Sequence, residues 1–291
     1  MSEALNALLA RHPRWLVLTG AGISAASGIP TYRNDRGEWQ RSDPIQHQAF
    51  IDKAAMRQRY WARSMNGWPY VRASEPNAAH HALAALERLG HIDLLVTQNV
   101  DRLHQAAGSR KVVDLHGRLD RAGCLNCGAM VERDAYQQEL KAANPDYASY
   151  RAAIRPDGDA EVDDRWVSDF RVPPCQACGG VLMPDVVFFG GGVPRERVER
   201  IRSALTDCDA LLVVGSSLMV YSGFRFCREA VEQGKPLAII NRGTTRADEL
   251  AILKVEADAG HVLEALVAAM EQRAAAASVR SGIAPLAPRL T

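Results

Sequence analysis

Four cysteines of this 291-residue chain have the spacing of metal ligands. They form two Cys-x-x-Cys pairs, Cys124 with Cys127 and Cys175 with Cys178, separated by residues 128–174. Four thiolates in two such pairs suit a closed tetrahedral zinc site with a structural role. The alternative is two unrelated pairs of buried thiols, and the repeated spacing argues against it.

Polar side chains follow two of the predicted buried strands. Gln98, Asn99 and Asp101 come directly after one apolar run, and His116 ends another. The side chains of Asn99 and Asp101 suit hydrogen bonds to a ribose hydroxyl and a carboxamide. Imidazole titrates near neutral pH, so His116 is a candidate general base. The alternative for a single histidine is a satisfied structural group, and the other histidines are interpreted in that way.

The stretch 16–33 has the pattern of a buried strand that enters a phosphate-binding turn. Its apolar run ends in Gly20-x-Gly22-x-x-Ala25, the Gly/Ala form of the dinucleotide fingerprint. Glycine allows a tight turn and a close approach to a pyrophosphate, and a helix that begins just after it directs N–H groups at the same phosphates. A plain strand-to-helix turn is the alternative. The stretch ends in Arg33, which suits an anionic ligand.

Regular elements must bring these groups to one place. Continuous apolar runs alternate with helical patterns, which indicates an α/β fold with a mostly parallel, doubly wound sheet. The predicted strands are residues 14–19, 92–97, 112–116, 210–214 and 236–241. Ligands of such sheets bind beyond the carboxyl ends of the strands. The groups at those ends are Thr19-Gly20, Gln98-Asn99, His116, Gly215-Ser216 and Asn241.

Two stretches interrupt the alternation. Residues 34–73 are predicted to be a mostly helical insertion, with a helix from about Phe50 to Met65 and breakers at Trp68-Pro69. Residues 121–184 hold the four cysteines and are interpreted as a separate module. The apolar residues 186–189 after it predict a short strand.

Composition limits the class of protein. Apolar residues make up 47% and charged residues 24% of the chain, and the net charge is +1, so bulk charge favours no nucleic acid partner. Residues 1–15 lack a long apolar core, so we expect no signal peptide and a cytoplasmic protein. The two remaining cysteines, Cys208 and Cys227, are interpreted as core thiols. A last helix is predicted over about 261–276, and residues 275–291 are expected to be disordered.

The motifs together resemble the sirtuin family over about residues 14–270. They stand in the order seen in sirtuins: Gly20–Ser24, Ser27–Arg33, Gln98–Asp101, Leu115–Gly117, the four cysteines, Pro184–Gly190, Gly215–Ser217 and Asn241. Further segments are most similar to the class II branch of the family: Pro44–His47, Arg57–Arg63, Gly67–Pro69 and Val220–Gly223.

The resemblance implies an NAD-dependent protein-lysine deacylase with a Rossmann-like large domain and a smaller zinc-binding domain. The catalytic domain would span residues 1–274. Its large part would comprise about 1–31, 75–117 and 185–274, and its small part the helical insertion 32–74 and the zinc module 118–184. The sequence leaves the oligomeric state open.

The resemblance also implies roles for single residues. His116, Asn99 and Asp101 would be catalytic, and Phe189, Gly190, Leu218 and Val220 would hold an acyl-lysine substrate as an added strand. The residues expected to bind NAD are Gly20, Ala21, Gly22, Ser24, Ile29, Pro30, Tyr32, Arg33, Gln98, Asn99, Val100, Asp101, Gly215, Ser216, Ser217, Asn241, Arg242, Gly243 and Ala259.

The implied reaction consumes NAD without reducing it. The acyl oxygen attacks the nicotinamide ribose as nicotinamide leaves, and His116 takes a proton from a ribose hydroxyl. Lysine and O-acyl-ADP-ribose are the products. Thr31 departs from the Asp that many sirtuins have at this position. Tyr60-x-x-Arg63 is similar to a pair that recognises acidic acyl groups in another branch, with a solvated helix face as the alternative.

Several other functions remain open at this point. A protein ADP-ribosyltransferase would lie within the family, and a nucleotide sensor would bind NAD and zinc without turnover. A dehydrogenase would reduce NAD and so differ in its product. A zinc-knuckle nucleic-acid binder is disfavoured because the chain has no basic, aromatic stripe.

Overall fold

Two β-sheets form in the computed structural model, which describes residues 2–31, 34, 36, 38, 44–149 and 167–281. The strands are β1 (Trp15–Thr19), β2 (Ile92–Thr97), β3 (Val112–Asp114), β4 (Gly117–Cys124), β5 (Met130–Glu132), β6 (Leu182–Val186), β7 (Ala210–Val214), β8 (Leu237–Ile240) and β9 (Leu253–Val255).

Helices cover both faces of the larger sheet and build the insertions. Their bounds are α1 (Ser2–Arg11), α2 (His47–Asp52), α3 (Ala54–Ala73), α4 (Ala78–Arg88), α5 (Leu103–Ala106), α6 (Arg133–Ala143), α7 (Arg195–Asp207), α8 (Tyr221–Glu232) and α9 (Ala259–Ser281). In the part of the chain that is described, no helix is both long and apolar enough to cross a bilayer.

The larger sheet is parallel throughout, with strand order β3-β2-β1-β7-β8-β9. Its register aligns the strand ends, because Thr19 at the end of β1 pairs with Thr97 of β2 and Val214 of β7. The chain order reverses beside β1, where β2 and β7 flank it. Crevices of such sheets form at this switch point, so the groups that follow β1, β2 and β7 lie side by side. The predicted doubly wound α/β fold is confirmed.

Both faces of this sheet are buried, which explains the continuous apolar runs. In β1, Trp15 and Val17 enter a cluster with α1, α4 and α9, while Leu16 and Leu18 enter a second cluster with α7 and α8. All five residues of β1 are buried. Alternate side chains of a strand point to opposite faces, so a strand with both faces covered must be apolar at every position.

The smaller sheet is antiparallel, with strand order β5-β4-β6, and has its own apolar cluster. Trp61 of α3 lies at the centre of that cluster, fully buried against the ring of Tyr136. Arg133 is also buried, and its guanidinium lies over the rings of Trp61 and Trp68 while donating to Ser64 and Gln137. The helical insertion and the cysteine-bearing segment therefore pack into one unit.

The helical insertion departs from the sequence prediction. A single helix runs from Ala54 to Ala73 and passes through Trp68 and Pro69, which we expected to break it. Proline removes one helical hydrogen bond. Burial of Trp68 and Val71 on the same helix offsets that loss, so tertiary packing decides the outcome.

Three other elements differ from expectation. Strand β6 ends at Val186, so most of the predicted strand 186–189 is loop. The helix after the first glycine turn is a short 3-10 helix over Ala21–Ser27. The final helix continues to Ser281, which corrects the expected disorder of residues 275–281. The rest of the predicted tail lies outside the described residues.

Candidate active site

A cleft of about 860 Å³ opens at the carboxyl ends of the larger sheet and reaches the smaller unit. It is lined by nearly all the described residues that were predicted to act, namely Gly20, Ala21, Gly22, Ser24, Ile29, Gln98, Asn99, Val100, Asp101, His116, Phe189, Gly190, Gly215, Ser216, Ser217, Leu218, Val220, Asn241, Arg242, Gly243 and Ala259. Pro30 is described but does not line it. The predicted residues Tyr32 and Arg33 lie outside the described residues.

The first glycine turn packs directly against the turn after β7. A Cβ on Gly22 would lie 2.8 Å from the carbonyl oxygen of Gly215, and one on Gly20 would lie 2.8 Å from the side chain of Ser216. Neither position has room for a side chain. The two backbone turns, called the glycine cradle below, therefore pack in direct contact at the carboxyl end of β1, the place where dinucleotides bind in sheets of this kind.

Asp101 is held by a hydrogen-bond network around Ser24. The Ser24 hydroxyl donates to Asp101 Oδ2 at 2.7 Å, and the backbone N–H of Leu103 donates to Oδ1 at 3.0 Å. The Asn99 amide donates to Ser24 Oγ at 3.0 Å and to the Gly20 carbonyl at 3.1 Å. Burial raises the pKa of Asp101, although the hydrogen bonds from Leu103 and Ser24 lower it in part. The network fixes both predicted polar groups against the glycine turn.

Two buried histidines support this network from behind. His80 Nδ1 accepts the backbone N–H of Asn77, so its Nε2–H is directed toward Ser24 Oγ, 3.4 Å away. His104 Nε2 lies 2.9 Å from Thr19 Oγ1, and the two imidazole rings are 4.8 Å apart. Burial lowers the pKa of His80 to about 4 and that of His104 well below its usual range. Both histidines are neutral structural groups at neutral pH, as their sequence interpretation proposed.

His116 faces the cleft with hydrogen bonds at both ring nitrogens. Its Nδ1 lies 2.9 Å from the carbonyl oxygen of Gln98, and its Nε2 lies 2.7 Å from the hydroxyl of Ser222. Because a carbonyl only accepts, Nδ1 carries the proton and Nε2 presents a lone pair. The pKa of His116 is lowered to about 4, mainly by burial; the Gln98 bond opposes this effect, and the charges of Arg197 and Arg225 add to it. His116 is therefore neutral and able to accept a proton at neutral pH.

Gln98 ties the three central strands together at the floor of the cleft. Its amide donates to the Thr19 carbonyl at 3.1 Å and to Ser216 Oγ at 2.8 Å. Ser216 Oγ also accepts the backbone N–H of Leu218 at 3.2 Å. Leu218 has a left-handed backbone, with φ 58°. This conformation is uncommon for a side chain larger than glycine, and the Ser216 bond helps to hold it.

The far end of the cleft lies beyond β8. The Asn241 amide donates to the carbonyl of Gly243 at 2.8 Å, and Arg242 pairs with Asp258 at 2.6 Å. Ala259 follows at the start of α9 and also lines the cleft. These residues form a polar part of the cleft wall beyond β8.

The opposite wall combines both units. Phe189 accepts the backbone N–H of His47 at 2.8 Å through its carbonyl, which ties this wall to the helical insertion. Val220 stands across the cleft and is 36% exposed. Tyr60 and Arg63 of α3 are buried and line the cleft, so a solvated helix face is the wrong interpretation of this pair.

The four paired cysteines converge as predicted. Their sulfur atoms all lie within 4.8 Å of one another, with Cys124 Sγ 3.5 Å from Cys178 Sγ and Cys127 Sγ 3.8 Å from Cys175 Sγ. A tetrahedral zinc with Zn–S bonds of about 2.3 Å requires sulfur separations of roughly 3.8 Å. The cluster therefore fits one zinc ion and leaves no open position for a substrate. Cys208 and Cys227 are buried elsewhere, as expected.

Sequence reasoning missed several groups that line or support the cleft. Ser222 was quoted only within a family-like segment, although it makes the hydrogen bond to His116 Nε2. Val71, Leu119 and Val186 add an apolar patch from the smaller unit. Ser222 lies in the first turn of α8 and not at a strand end, so its spacing gave no signal of this role. The apolar patch had none either, because its members come from three separate elements and are apolar residues with no distinguishing spacing.

Comparisons with known proteins agree with this geometry. The Sir2 family model matches residues 20–222. An NAD-dependent protein deacetylase of Xanthomonas axonopodis pv. citri is 56% identical over 261 residues, which cover 90% of this chain and 89% of the relative. One of Bordetella bronchiseptica is 54% identical over 265 residues, which cover 91% and 97%.

Solved structures give the same result. A Sir2 homologue in complex with NAD aligns with a TM-score of 0.71 at 29% identity, covering 94% of this chain and 95% of that one. A Sir2 enzyme with p53 peptide and NAD⁺ aligns with a TM-score of 0.70 at 27% identity, covering 94% and 99%. With a family model that spans most of the chain and relatives above 50% identity, the chain belongs to the Sir2 family, the sirtuins.

Proposed function

We propose that this chain deacylates protein lysines with His116 as the general base and Asn99 and Asp101 as the groups that position the ribose. The activity class follows from the relatives: at 54–56% identity over about 90% of its length, the chain is an NAD-dependent protein deacetylase. The observation that supports the residue roles is the convergence of His116, the Ser24 network and the glycine cradle in one cleft.

His116 supplies the base. Bound NAD provides an electrophilic ribose carbon with nicotinamide as the leaving group. The Gln98 carbonyl fixes the Nδ1–H tautomer, so the Nε2 lone pair is available to take a proton from a ribose hydroxyl. Because burial and two neighbouring arginines keep the ring neutral, His116 does not need to lose a proton before it acts.

The remaining polar groups would bind and orient NAD. The Gly20–Gly22 turn and the Gly215–Ser217 turn would hold the pyrophosphate. Asp101 and Asn99 are already fixed by Ser24, so they would receive ribose and carboxamide groups with little rearrangement. We assign the Asn241–Gly243 end of the cleft to the adenosine half and the four cysteines to one structural zinc.

We further propose that acyl-lysine peptides bind between Phe189-Gly190 and Leu218–Val220 as an added strand. A solved Sir2 enzyme carries a p53 peptide together with NAD⁺, which supports peptide binding by this fold. The Pro44–His47, Arg57–Arg63 and Val220–Gly223 segments support placement in the class II branch. The cleft position of Tyr60 and Arg63 supports testing acidic acyl groups.

Two further assignments remain proposals. We propose one catalytic domain with the predicted division into a large part and two insertions, extended from its predicted end at residue 274 to the end of α9 at Ser281. Four thiols at a zinc site require a reducing compartment, which supports a cytoplasmic location.

The test is nicotinamide release from NAD against lysine peptides that carry acetyl, long fatty acyl, lipoyl or dicarboxylic acyl groups. We expect release to depend on an acyl peptide and to produce O-acyl-ADP-ribose. His116→Ala should lower turnover by at least 100-fold and leave NAD binding within about threefold. His81→Ala changes an exposed histidine and is the matched control.

The other functions give different results in the same assay. Release without any acyl peptide, with label transferred from NAD to protein, would indicate an ADP-ribosyltransferase. NAD binding without release would indicate a sensor. Full deacylation by His116→Ala would overturn the base assignment while leaving the activity itself intact.

A further inference from the structure

The Ser222 hydroxyl is hydrogen-bonded to Nε2 of His116, the nitrogen that has to accept the proton. Nδ1 donates to the Gln98 carbonyl, so the only acceptor of the neutral ring is Nε2. Ser222 Oγ lies 2.7 Å from that nitrogen and, facing a lone pair, must donate to it. An imidazole nitrogen has one lone pair. A ribose hydroxyl that passes its proton to Nε2 must therefore take the place of Ser222.

The position of Ser222 is set by close packing at the start of α8. A Cβ on the next residue, Gly223, would lie 2.7 Å from Oε1 of Gln98, so a side chain at this position would have to displace the Gln98 amide. Gln98 is also the residue whose carbonyl holds Nδ1 of His116. Both hydrogen bonds to the ring thus depend on one packed unit, which holds the imidazole plane from its two sides.

The hydroxyl can leave without movement of the helix. Ser222 is only half-buried and lines the cleft, and its side chain has one rotatable bond to the oxygen. Rotation about that bond removes the hydrogen from Nε2 while the backbone stays in place. The Ser222 carbonyl accepts Arg225 Nε at 3.1 Å, which keeps the first turn of α8 fixed.

The charged neighbours of His116 favour this arrangement. Arg197 and Arg225 are both cationic groups near the ring, and Arg197 is 3.6 Å from the carboxylate of Asp185. Burial, together with the positive charge beside the imidazole, keeps the ring neutral, so that the Nε2 lone pair is present and can accept a hydrogen bond. Ser222 provides that donor when the cleft holds no ligand.

We propose that Ser222 is a positioning residue that caps the general base in the ligand-free enzyme and is displaced from Nε2 when the ribose hydroxyl binds. The proposal rests on the base role of His116. No covalent step is added, because the serine hydroxyl exchanges one hydrogen-bond partner and keeps its proton. In the capped state the ring is held in the acceptor-ready tautomer, and NAD has to compete with a hydroxyl that is tethered to the protein.

Removal of the Ser222 hydroxyl should strengthen the binding of NAD. In Ser222→Ala we expect a water molecule to replace the hydroxyl. A ligand loses less binding free energy when it displaces an untethered water than when it displaces a fixed side chain. We expect KM for NAD to fall by about twofold to tenfold, the range that corresponds to one net hydrogen bond, with kcat changed by less than about twofold. Ser222→Thr retains the hydroxyl and should keep the wild-type KM.

The test combines these kinetics with ¹⁵N NMR of histidine-labelled, zinc-loaded enzyme without NAD. His116 is assigned by the resonances that vanish in His116→Ala. The Nε2 resonance should shift in Ser222→Ala and stay in place in Ser222→Thr, because in the alanine variant a mobile water replaces the fixed hydroxyl as the donor to this nitrogen. Thermal melting of each variant checks that it is folded.

Two results would overturn the cap. One is an Nε2 resonance that does not move in Ser222→Ala. The other is a KM for NAD that is unchanged or higher in that variant. Either result leaves the base role of His116 standing, whereas full turnover by His116→Ala removes the base role and does not touch the NMR result.

Discussion

The two sheets of the molecule are stabilised in different ways. Every residue of β1 is buried between two large apolar clusters, so the parallel sheet supplies its own core on both faces. In β5 of the antiparallel sheet, two of three residues are exposed. That sheet depends on one apolar cluster that includes Cys124 and Cys175, both ligands of the proposed zinc. We therefore expect bound zinc, rather than a second covered face, to complete the smaller unit.

The two units also contribute differently to the cleft. The parallel sheet places its polar groups at strand ends, where pairing aligns them. The smaller unit contributes mostly apolar wall, such as Leu119 and Phe188, together with Tyr60 and Arg63. Chemistry on the substrate therefore needs both units, while the glycine cradle belongs to the larger one alone.

Loss of one zinc ligand should have the largest effect, and this effect should be confined to the structure of the smaller unit. In Cys175→Ser we expect no bound zinc and at least a 100-fold loss of deacylation, because a structural zinc contributes on the order of 10 kcal/mol to the fold that binds it. Zinc content by atomic absorption and limited proteolysis measure the effect. Cleavage should concentrate in the smaller unit while the parallel sheet stays protected.

Cys227→Ala is the matched control, since this thiol is fully buried in a cluster of the larger sheet. It should lose some stability and keep its zinc. A Cys175→Ser protein that resists protease as wild type does, or that retains activity without metal, would show that the smaller unit is stable without the ion.

The same difference explains how far the sequence could predict the fold. Strands β1, β7 and β8 are buried on both faces, so their apolar runs identify them directly, and the glycine turn follows one of them. The antiparallel strands β4 and β5 carry mixed, short patterns that no periodicity distinguishes from loop. In this part of the chain only the spacing of the cysteines was informative. It predicted the metal cluster without predicting the strands around it.

The site was predictable where chemistry coincides with a strand end. His116, Asn99 and Asp101 satisfy that condition, and the structure brings them to one cleft. Ser222 and the buried His80 do not, because their roles come from hydrogen bonds between elements distant in sequence. Long-range contacts of this kind leave no spacing signal in a single sequence.

A methyl group in the glycine cradle should affect the larger unit alone. Gly22→Ala places a Cβ 2.8 Å from the Gly215 carbonyl, a distance that requires the two turns to separate. We expect NAD affinity to fall by tenfold or more, with zinc content unchanged. Calorimetric titration with NAD measures the change.

Gly192→Ala controls for the substitution itself, because a Cβ there would meet no atom within 4 Å. It should bind NAD as wild type does. Equal affinity of Gly22→Ala and wild type would mean that the cradle does not contact the dinucleotide.

Acid should weaken the larger sheet by a smaller, graded amount. Burial lowers the pKa of His80 and of His116 to about 4, and it lowers the pKa of His104 well below its usual range. Histidines of the unfolded chain have a pKa near 6.5, so below that pH the unfolded chain binds protons that the buried imidazoles of the folded protein do not bind. The free energy of unfolding therefore falls as the pH falls from about 6.5 toward 4. Each histidine contributes up to about 1.4 kcal/mol per pH unit. Asp101, whose pKa is raised, acts in the opposite direction and offsets part of this loss.

Urea unfolding at pH 7 and pH 5.5 measures the slope, and zinc content of the same samples separates it from loss of metal. His104→Asn removes one of the three buried imidazoles and should reduce the slope by about a third, whereas His81→Asn, on the surface, should leave it unchanged. The two asparagine variants differ only in burial. If both had the wild-type slope, His104 would not contribute to the acid sensitivity, and the zinc content of the same samples would distinguish the other two imidazoles from protonation of the zinc thiolates.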